Sequence, residues 1–321
     1  MSHYLGTSRF YDSFNEAYKD MIQTIVHNGD IVHPRPDSSL GGTKEILNAG
    51  FAIPANMPLC TWKERKLCYA FAMLEPFYLF TTQSETDVAT AHIKYAPNLV
   101  KLAYNEQTKE FDGNYGDRIH LRNPPLEDQV VFDNGEIECQ IKRCYNVLRK
   151  DPDSRRALLT IHNPVWDVVN GNSKDIPCTL NLQFLIRDGK LHCFGQMRSN
   201  DIWYGTPHNV MMFTFLQRAM AAALHVPVGW YIHRANSLHI YDKHIEKAKK
   251  LLDSNEHVDH KDPQIDYPYG ECKSLEDVYE DAMMLISAEK ELRDGGGFPQ
   301  GDFHSFPLQT LVEATKFLSR K

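Results

Sequence analysis

The stretch "TLNLQFLIRDGKLHCFGQMRS", residues 179–199, constrains the fold more than any other. Leu180, Leu182, Phe184 and Ile186 alternate with other residues, the period of a strand with one buried face. Asp188-Gly189 supplies a tight two-residue turn, and a second strand follows. Shortly after comes "NVMMFTFLQRAMAAALH", residues 209–225, which is apolar almost all round and therefore predicts a helix buried on every side. "WYIHRANSLHIYDKH" then gives another strand, a short loop and the start of a helix. Strands and helices mixed in this order predict an α+β chain.

The remaining segments fill in this outline. Phe10, Phe14, Tyr18, Ile22, Ile25 and Val26 form an apolar stripe at helical spacing. "HPRPDSSLGG", residues 33–42, is a loop, and "TKEILNAGFAIP" a strand. Residues 63–80 look helical, with Pro76 expected to kink or end the helix. Residues 105–125 are polar and loop-rich. Beyond residue 254 the composition turns acidic and Gly-rich, and two amphipathic helices fit near 275–292 and 307–318. The expected division is a main domain, 1–254, and a helical C-terminal extension, 255–321, packed on it.

With 321 residues, 42% of them hydrophobic, the chain can build a sizeable core without disulfides. Its net charge of -7 argues against a nucleic-acid partner or an anionic membrane surface. No apolar run is long enough to span a bilayer, and the N-terminus lacks a signal-peptide pattern. Seven scattered cysteines, with no CxxC pair, read as reduced thiols in a cytoplasmic setting. The fifteen histidines form no HExxH, and no metal site is expected.

Several polar knots interrupt the apolar pattern. Cys178 opens the first hairpin strand, and Arg198 lies across the hairpin, close enough to hold a thiolate. A buried structural cysteine is the plainer alternative. In "DSRR", Arg155 and Arg156 form either a surface salt-bridge pair or a phosphate clamp. "MRSND" gathers Arg198, Ser199, Asn200 and Asp201. Asn209, in "GTPHN", is either a helix N-cap or an amide aimed at a heterocycle. His239 and Tyr241 share one face of a strand.

Taken in order, "DSRR", "PCT", "RSND", "GTPHN" and "SLHIY" resemble the motifs of the thymidylate synthase family, which includes the pyrimidine-nucleotide hydroxymethylases. The match is closest over residues 140–250. The resemblance implies a large mixed β-sheet flanked by helices, with two such sheets packed back to back in a homodimer. It implies 5,10-methylenetetrahydrofolate as one-carbon donor and a pyrimidine nucleoside monophosphate as substrate. Cys178 would attack carbon 6 of the base. Glu75, in "EPFY", would move protons and order water, and Tyr115, in "DGNYG", matches a family tyrosine. Asp201 would help hold the base. Arg198, Ser199 and the loop residue Arg35 would bind the phosphate, with Arg155 and Arg156 reaching across the dimer. His239 and Tyr241 would bond the sugar 3′-hydroxyl, and Asn200 also falls among the nucleotide-binding residues.

Within the family, a synthase transfers hydride and makes a methyl group, whereas a hydroxymethylase lets water add. Synthases carry a proline-containing aliphatic tail, a tryptophan upstream of the Tyr115 motif, His after the nucleophile and Gln before the arginine. This sequence ends "EATKFLSRK", has no Trp between Trp62 and Trp166, and carries Thr179 and Met197 at those two positions. These departures favour a hydroxymethylase. Asn209 suits uracil, hence dUMP, although a flipped amide suits cytosine and His208 could help set the flip. A divergent synthase making dTMP, and a dCMP or CMP hydroxymethylase, remain the alternatives. From other classes, a non-catalytic scaffold or RNA binder is opposed by the intact polar set. A Cys–His amidotransferase is opposed by the lack of a local signature.

Overall fold

A computed structural model of the chain describes residues 9–34, 41–120, 139–169, 173–258, 274–298 and 305–320. Arg35, the loop candidate, lies outside the described residues. The strands are β1 (Arg9–Phe10), β2 (Asp30–Val32), β3 (Thr43–Pro54), β4 (Tyr104–Asn105) and β5 (Glu110–Phe111). They continue as β6 (Leu158–Thr160), β7 (Thr179–Arg187), β8 (Lys190–Met197), β9 (Asn200–Asp201) and β10 (Val228–Tyr241). The helices are α1 (Phe14–Asn28), α2 (Tyr69–Leu74), α3 (Val88–Tyr95), α4 (Pro97–Ala103) and α5 (Tyr115–Ile119). After these come α6 (Gln140–Lys150), α7 (Gly205–Ala223), α8 (Asp242–Asp253), α9 (Leu275–Arg293) and α10 (Ser305–Leu318).

The expected hairpin is β7–β8. Asp188 and Gly189 have φ of 51° and 68°, the left-handed pair of a type I′ turn. Their strands sit in one mixed sheet of order β1-β3-β10-β8-β7-β6, with β2 beside β3 and β9 beside β10. β7 and β8 run antiparallel, whereas β8 and β10 run parallel and so need the α7 crossover between them. Leu182, Phe184, Leu191 and Cys193 are fully buried on the covered face. The opposite face leaves Leu158 46% exposed, with Gln183 and Phe194 half-buried beside it in register.

α7 explains its own composition. It packs against β8 and β10 on one side and against α2, α9 and the 3₁₀ turn Glu75–Phe80 on the other. No side of it meets water, so Val210, Phe213, Phe215, Leu216 and Met220 are all buried. Burial of each such side chain contributes about 1.5–3 kcal/mol. Two polar side chains in the second half of this helix reach carbonyls of neighbouring segments. Gln217 donates to Leu191 O at 2.8 Å and Arg218 to Ala55 O at 2.7 Å.

Pro76 behaves as the sequence implies, but by a cleaner route than a kink. α2 stops at Leu74 and a separate 3₁₀ turn begins at Glu75, with Pro76 in its first positions. There its missing N–H costs nothing. α9 and α10 pack on this layer. Tyr279 meets Phe80 edge to face at 5.3 Å, and α10 lies on α2. Tyr95 donates to Glu289 at 2.7 Å, and Arg293 bonds both Glu289 and Asp87, which pins α9 to α3.

A buried ion pair fixes the loop ahead of the hairpin. Arg118 grips Asp167 with two bonds of 2.9 Å, both side chains at most 4% exposed, and lies over the Trp166 ring. Removing one partner strands a buried charge, which typically costs about 3–5 kcal/mol. Arg118→Ala is therefore expected to lose about that much stability in urea unfolding, and adding Asp167→Ala should recover part of it. A loss below about 1 kcal/mol would show that the pair is replaceable by water.

Candidate functional site

Cys178 sits one residue before β7, and the hairpin register puts Arg198 opposite it. Thr179 pairs with Met197, and the Arg198 N–H donates to Cys178 O at 2.8 Å. The guanidinium folds back along the same turn. It donates to Pro177 O at 2.9 Å and Ile176 O at 2.8 Å, and its Nη2 stands 3.9 Å from Cys178 Sγ. A fixed cation beside a half-buried thiol favours the thiolate, the form that attacks carbon. Cys178 is thus not a cysteine sealed under the sheet like Cys193, whose thiol burial pushes upward.

Tyr115 reaches this thiol from another element. Its helix begins where Gly116 seats against the Glu75–Phe80 turn, so tightly that a Cβ there would stand 2.1 Å from Thr81 O. The Tyr115 hydroxyl then meets Thr179 Oγ1 at 2.9 Å, and its ring stacks on Phe213 at 6.3 Å. Burial raises the Tyr115 phenol, so it stays protonated. Thr179 also touches Met197, with Oγ1 3.3 Å from Sδ. The two residues that depart from the synthase pattern are therefore neighbours.

The first turns of α7 carry the remaining polar groups. Asn209 is the fifth residue of the helix, whose N-cap is Tyr204, so the capping role is excluded. Its Oδ1 accepts from Asn200 Nδ2 at 2.9 Å. Asn200, placed by β9 pairing with β10, is only 2% exposed and its amide is fully engaged within the protein. His208, which the sequence offered as a neighbour of the Asn209 amide, instead faces Glu75. Its Nδ1 lies 3.3 Å from Glu75 Oε2. The separation suits an ion pair but the angles do not suit a hydrogen bond, and neither buried atom has a hydrogen-bond partner among the described residues.

Asp201 is held by the Trp203 and Tyr204 N–H groups at 2.8 and 3.2 Å, yet burial raises its carboxyl. Ser199 Oγ is 3.4 Å from His239 Nδ1, and burial lowers the His239 imidazole. The His239 and Tyr241 rings meet at 5.3 Å and 88°. Arg155 and Arg156 are exposed just before β6 and form no ion pair with a described residue. The salt-bridge reading of that pair thus has no partner there.

The structure accordingly brings Cys178, Arg198, Ser199, Tyr115, Asp201, His239 and Tyr241 together around the start of the hairpin and the end of β10. Asn209 and Glu75 join them through α7. Sequence reasoning missed the Glu75–His208 contact, the Thr179–Met197 contact and Asp175. The Asp175 carboxylate accepts from Gly113 N at 2.9 Å, three residues before the thiol. Burial, reinforced by Asp112, raises it to about 6. An open cavity of about 710 Å³ lined by Asn15, Lys19, Trp62 and His257 shares no residue with this set.

Two outcomes are expected from this geometry. Site-resolved alkylation of Cys178 should shift to higher pH in Arg198→Leu, because the guanidinium no longer faces the thiolate; an unchanged profile would show that Arg198 only braces the turn. Asp175 is raised from 3.8 to about 6 on folding, so the folded chain binds more protons across that window. Its contribution to stability should fall as pH rises from about 4 to about 6. Asp175→Asn should remove that slope from a pH series of urea midpoints.

Comparison with known proteins gives the same picture. The family model described as thymidylate synthase matches residues 16–287. A deoxyuridylate hydroxymethyltransferase of Bacillus phage SP01 is 29% identical over 228 residues, 70% of this chain but only 56% of that relative's length. Thymidylate synthase 1 of Bacillus subtilis (strain 168) is 27% identical over 248 residues, covering 74% of this chain and 82% of its own. In fold, the chain is similar to the thermostable thymidylate synthase A from Bacillus subtilis. The TM-score is 0.61 at 23% identity, over 77% of this chain and 86% of the other. The mixed sheet, its helical cover and a match over most of its length place the chain in the thymidylate synthase family.

Proposed function

We propose that the chain is a folate-dependent hydroxymethyltransferase that converts a pyrimidine nucleoside monophosphate, dUMP by preference, to its 5-hydroxymethyl derivative. The observation that carries this reading is the Glu75–His208 pair. A buried carboxylate oxygen and imidazole nitrogen 3.3 Å apart, without hydrogen-bond partners among the described residues, offer groups that could bind and activate a water. A synthase must keep water from the exocyclic methylene, whereas a hydroxymethylase must deliver it. The deoxyuridylate hydroxymethyltransferase among the relatives supports the same choice.

The chemistry follows from these residues. Cys178 adds to carbon 6 as thiolate, steadied by Arg198, which makes carbon 5 nucleophilic. When bound, 5,10-methylenetetrahydrofolate supplies a one-carbon unit at the oxidation level of formaldehyde. Glu75 and His208 would handle the proton and water at that end of the site, and the Tyr115 ring, stacked on Phe213, would help line it. Carbon 5 would take up the carbon and lose its proton, and the bond from that carbon to the folate nitrogen would break, leaving an exocyclic methylene on the base. Water held by Glu75 and His208 then adds to the exocyclic methylene, and the Cys178–carbon 6 bond breaks. No hydride moves, so the folate leaves as tetrahydrofolate.

Binding is divided among the other residues. Arg198, through its remaining N–H groups, and Ser199 hold the phosphate, with Arg155 and Arg156 supplied by the partner of a homodimer. The exposed Leu158 face of the sheet forms the dimer contact. His239 and Tyr241 bond the sugar, while Asp201 and Asn209 hold the base.

Mass spectrometry of the products from dUMP, dCMP, UMP and CMP tests this directly. A hydroxymethyl adduct of dUMP, with tetrahydrofolate released, is expected. A methyl product with dihydrofolate would make the chain a synthase, and a cytidine product would move the base preference. His208→Phe should cut hydroxymethyl formation about 100-fold, the usual scale for a proton-handling group, while tritium release from carbon 5 persists. Equal loss of both would remove His208 from the water step.

A further inference from the structure

A buried hydrogen-bond relay runs behind Asn209. The Tyr231 hydroxyl lies 2.8 Å from His233 Nδ1, and His233 Nε2 lies 3.0 Å from Asn200 Oδ1. Asn200 Nδ2 then reaches Asn209 Oδ1 at 2.9 Å. Thr206 Oγ1 is 2.6 Å from Asn200 Oδ1 and 3.1 Å from Asp201 O. All the members are tightly enclosed. Tyr231 is fully buried, His233 is 1% exposed and stacked on Phe51 at 5.0 Å, and Asn200 is 2% exposed. Gly205 lets the two amides approach, since a Cβ there would meet Asn200 Nδ2 at 3.2 Å and Asn209 Oδ1 at 3.4 Å.

Such a relay has two complete polarities. In the first, Tyr231 O–H donates to Nδ1, Nε2–H donates to Asn200 Oδ1, and Asn200 N–H donates to Asn209 Oδ1. The Asn209 NH₂ is then left to donate outward, and no described residue accepts from it. In the second, every amide is flipped and Nδ1–H donates to Tyr231. Asn209 then presents its carbonyl where the first presents NH₂. The two differ at the far end. In the second, the Tyr231 hydroxyl proton needs another acceptor, and Tyr231 makes no other hydrogen bond to a described residue. A buried donor without an acceptor is disfavoured, whereas Thr206 is satisfied in either polarity through Asp201 O.

We infer that Tyr231, acting through His233 and Asn200, sets the Asn209 amide in the orientation that reads a 4-oxo pyrimidine and rejects a 4-amino one. This rests on the proposed role of Asn209 at the base. Tyr231, His233 and Asn200 are positioning residues, and Asn200 accordingly touches no nucleotide. Burial pushes His233 down to about 3, so it is neutral and carries a single N–H at working pH. The Tyr231 phenol is raised well above its ordinary value and keeps its proton.

The test pairs nitrogen-15 NMR of the full-length protein with calorimetric binding of dUMP and dCMP. The wild type should show His233 as the Nε2–H tautomer, with dUMP bound more tightly. Tyr231→Phe should give a mixture of tautomers and lower the dUMP-over-dCMP ratio about tenfold, or about 1.4 kcal/mol. A wild-type Nδ1–H tautomer would overturn the proposal even if the variant fails to fold. So would a folded Tyr231→Phe that keeps both the tautomer and the ratio, or a preference for dCMP with Nε2–H in place. Binding of neither nucleotide would instead defeat the proposed function, and the tautomer would still judge the relay.

Discussion

Burial of α7 on all sides is the constraint on which the rest of the molecule depends. A helix without a polar face needs one apolar partner below and another above. The sheet supplies the first through β8 and β10, and α2, α9 and the Glu75–Phe80 turn supply the second. The candidate site residues gather where these layers meet at the helix's first turns. That is why Cys178, from the hairpin, and Glu75, from the upper layer, come to serve one space. The helix brings its own polar groups there as well. His208 meets Glu75, Asn209 meets Asn200, and Phe213 carries Tyr115.

Burial also decides which groups are charged. Desolvation raises Asp201 and Asp175 and lowers His233 and His239, so these side chains tend toward neutrality around the cleft. The Arg198 guanidinium is hydrogen-bonded to two carbonyls and faces the thiol. A guanidinium fixed beside the thiol, with neighbouring carboxyls raised and imidazoles lowered, suits an anionic nucleophile. This arrangement also makes hydrogen-bond polarity, rather than net charge, the property available for telling one base from another.

Much of this was legible in the sequence because it is local. The alternation in β7, the turn at Asp188-Gly189 and the apolar run of α7 are set by residues within a few positions of each other. The Cys178–Arg198 apposition follows from the same hairpin register. What was not legible depends on contacts between distant segments. Asn209 reads equally well as a helix cap until "GTPH" proves helical, with Pro207 tolerated in the first turn. Pro76 signals a break, but only packing shows that the break frees Glu75 to face His208. α3 is held by the remote Glu289–Arg293 pair, through Tyr95 and Asp87, a contact no local pattern announces.

The Asn200 amide shows how far a family motif can carry a residue's role. "RSND" places Asn200 among binding residues, and the fold does set it beside the site. Yet the parallel pairing of β9 with β10 sets its side chain against His233, Thr206 and Asn209. On the proposed reading its chemistry is exerted one residue removed from the ligand. The same holds for Met197, which reaches the cleft only through Thr179 and Tyr115. On the proposed reading, the positions that separate this chain from a synthase are partly such indirect ones. They change what the contacting residues present rather than what the ligand touches. On that reading the Glu75–His208 pair is the direct counterpart, a polar contact at the end of the site where the proposed water step takes place.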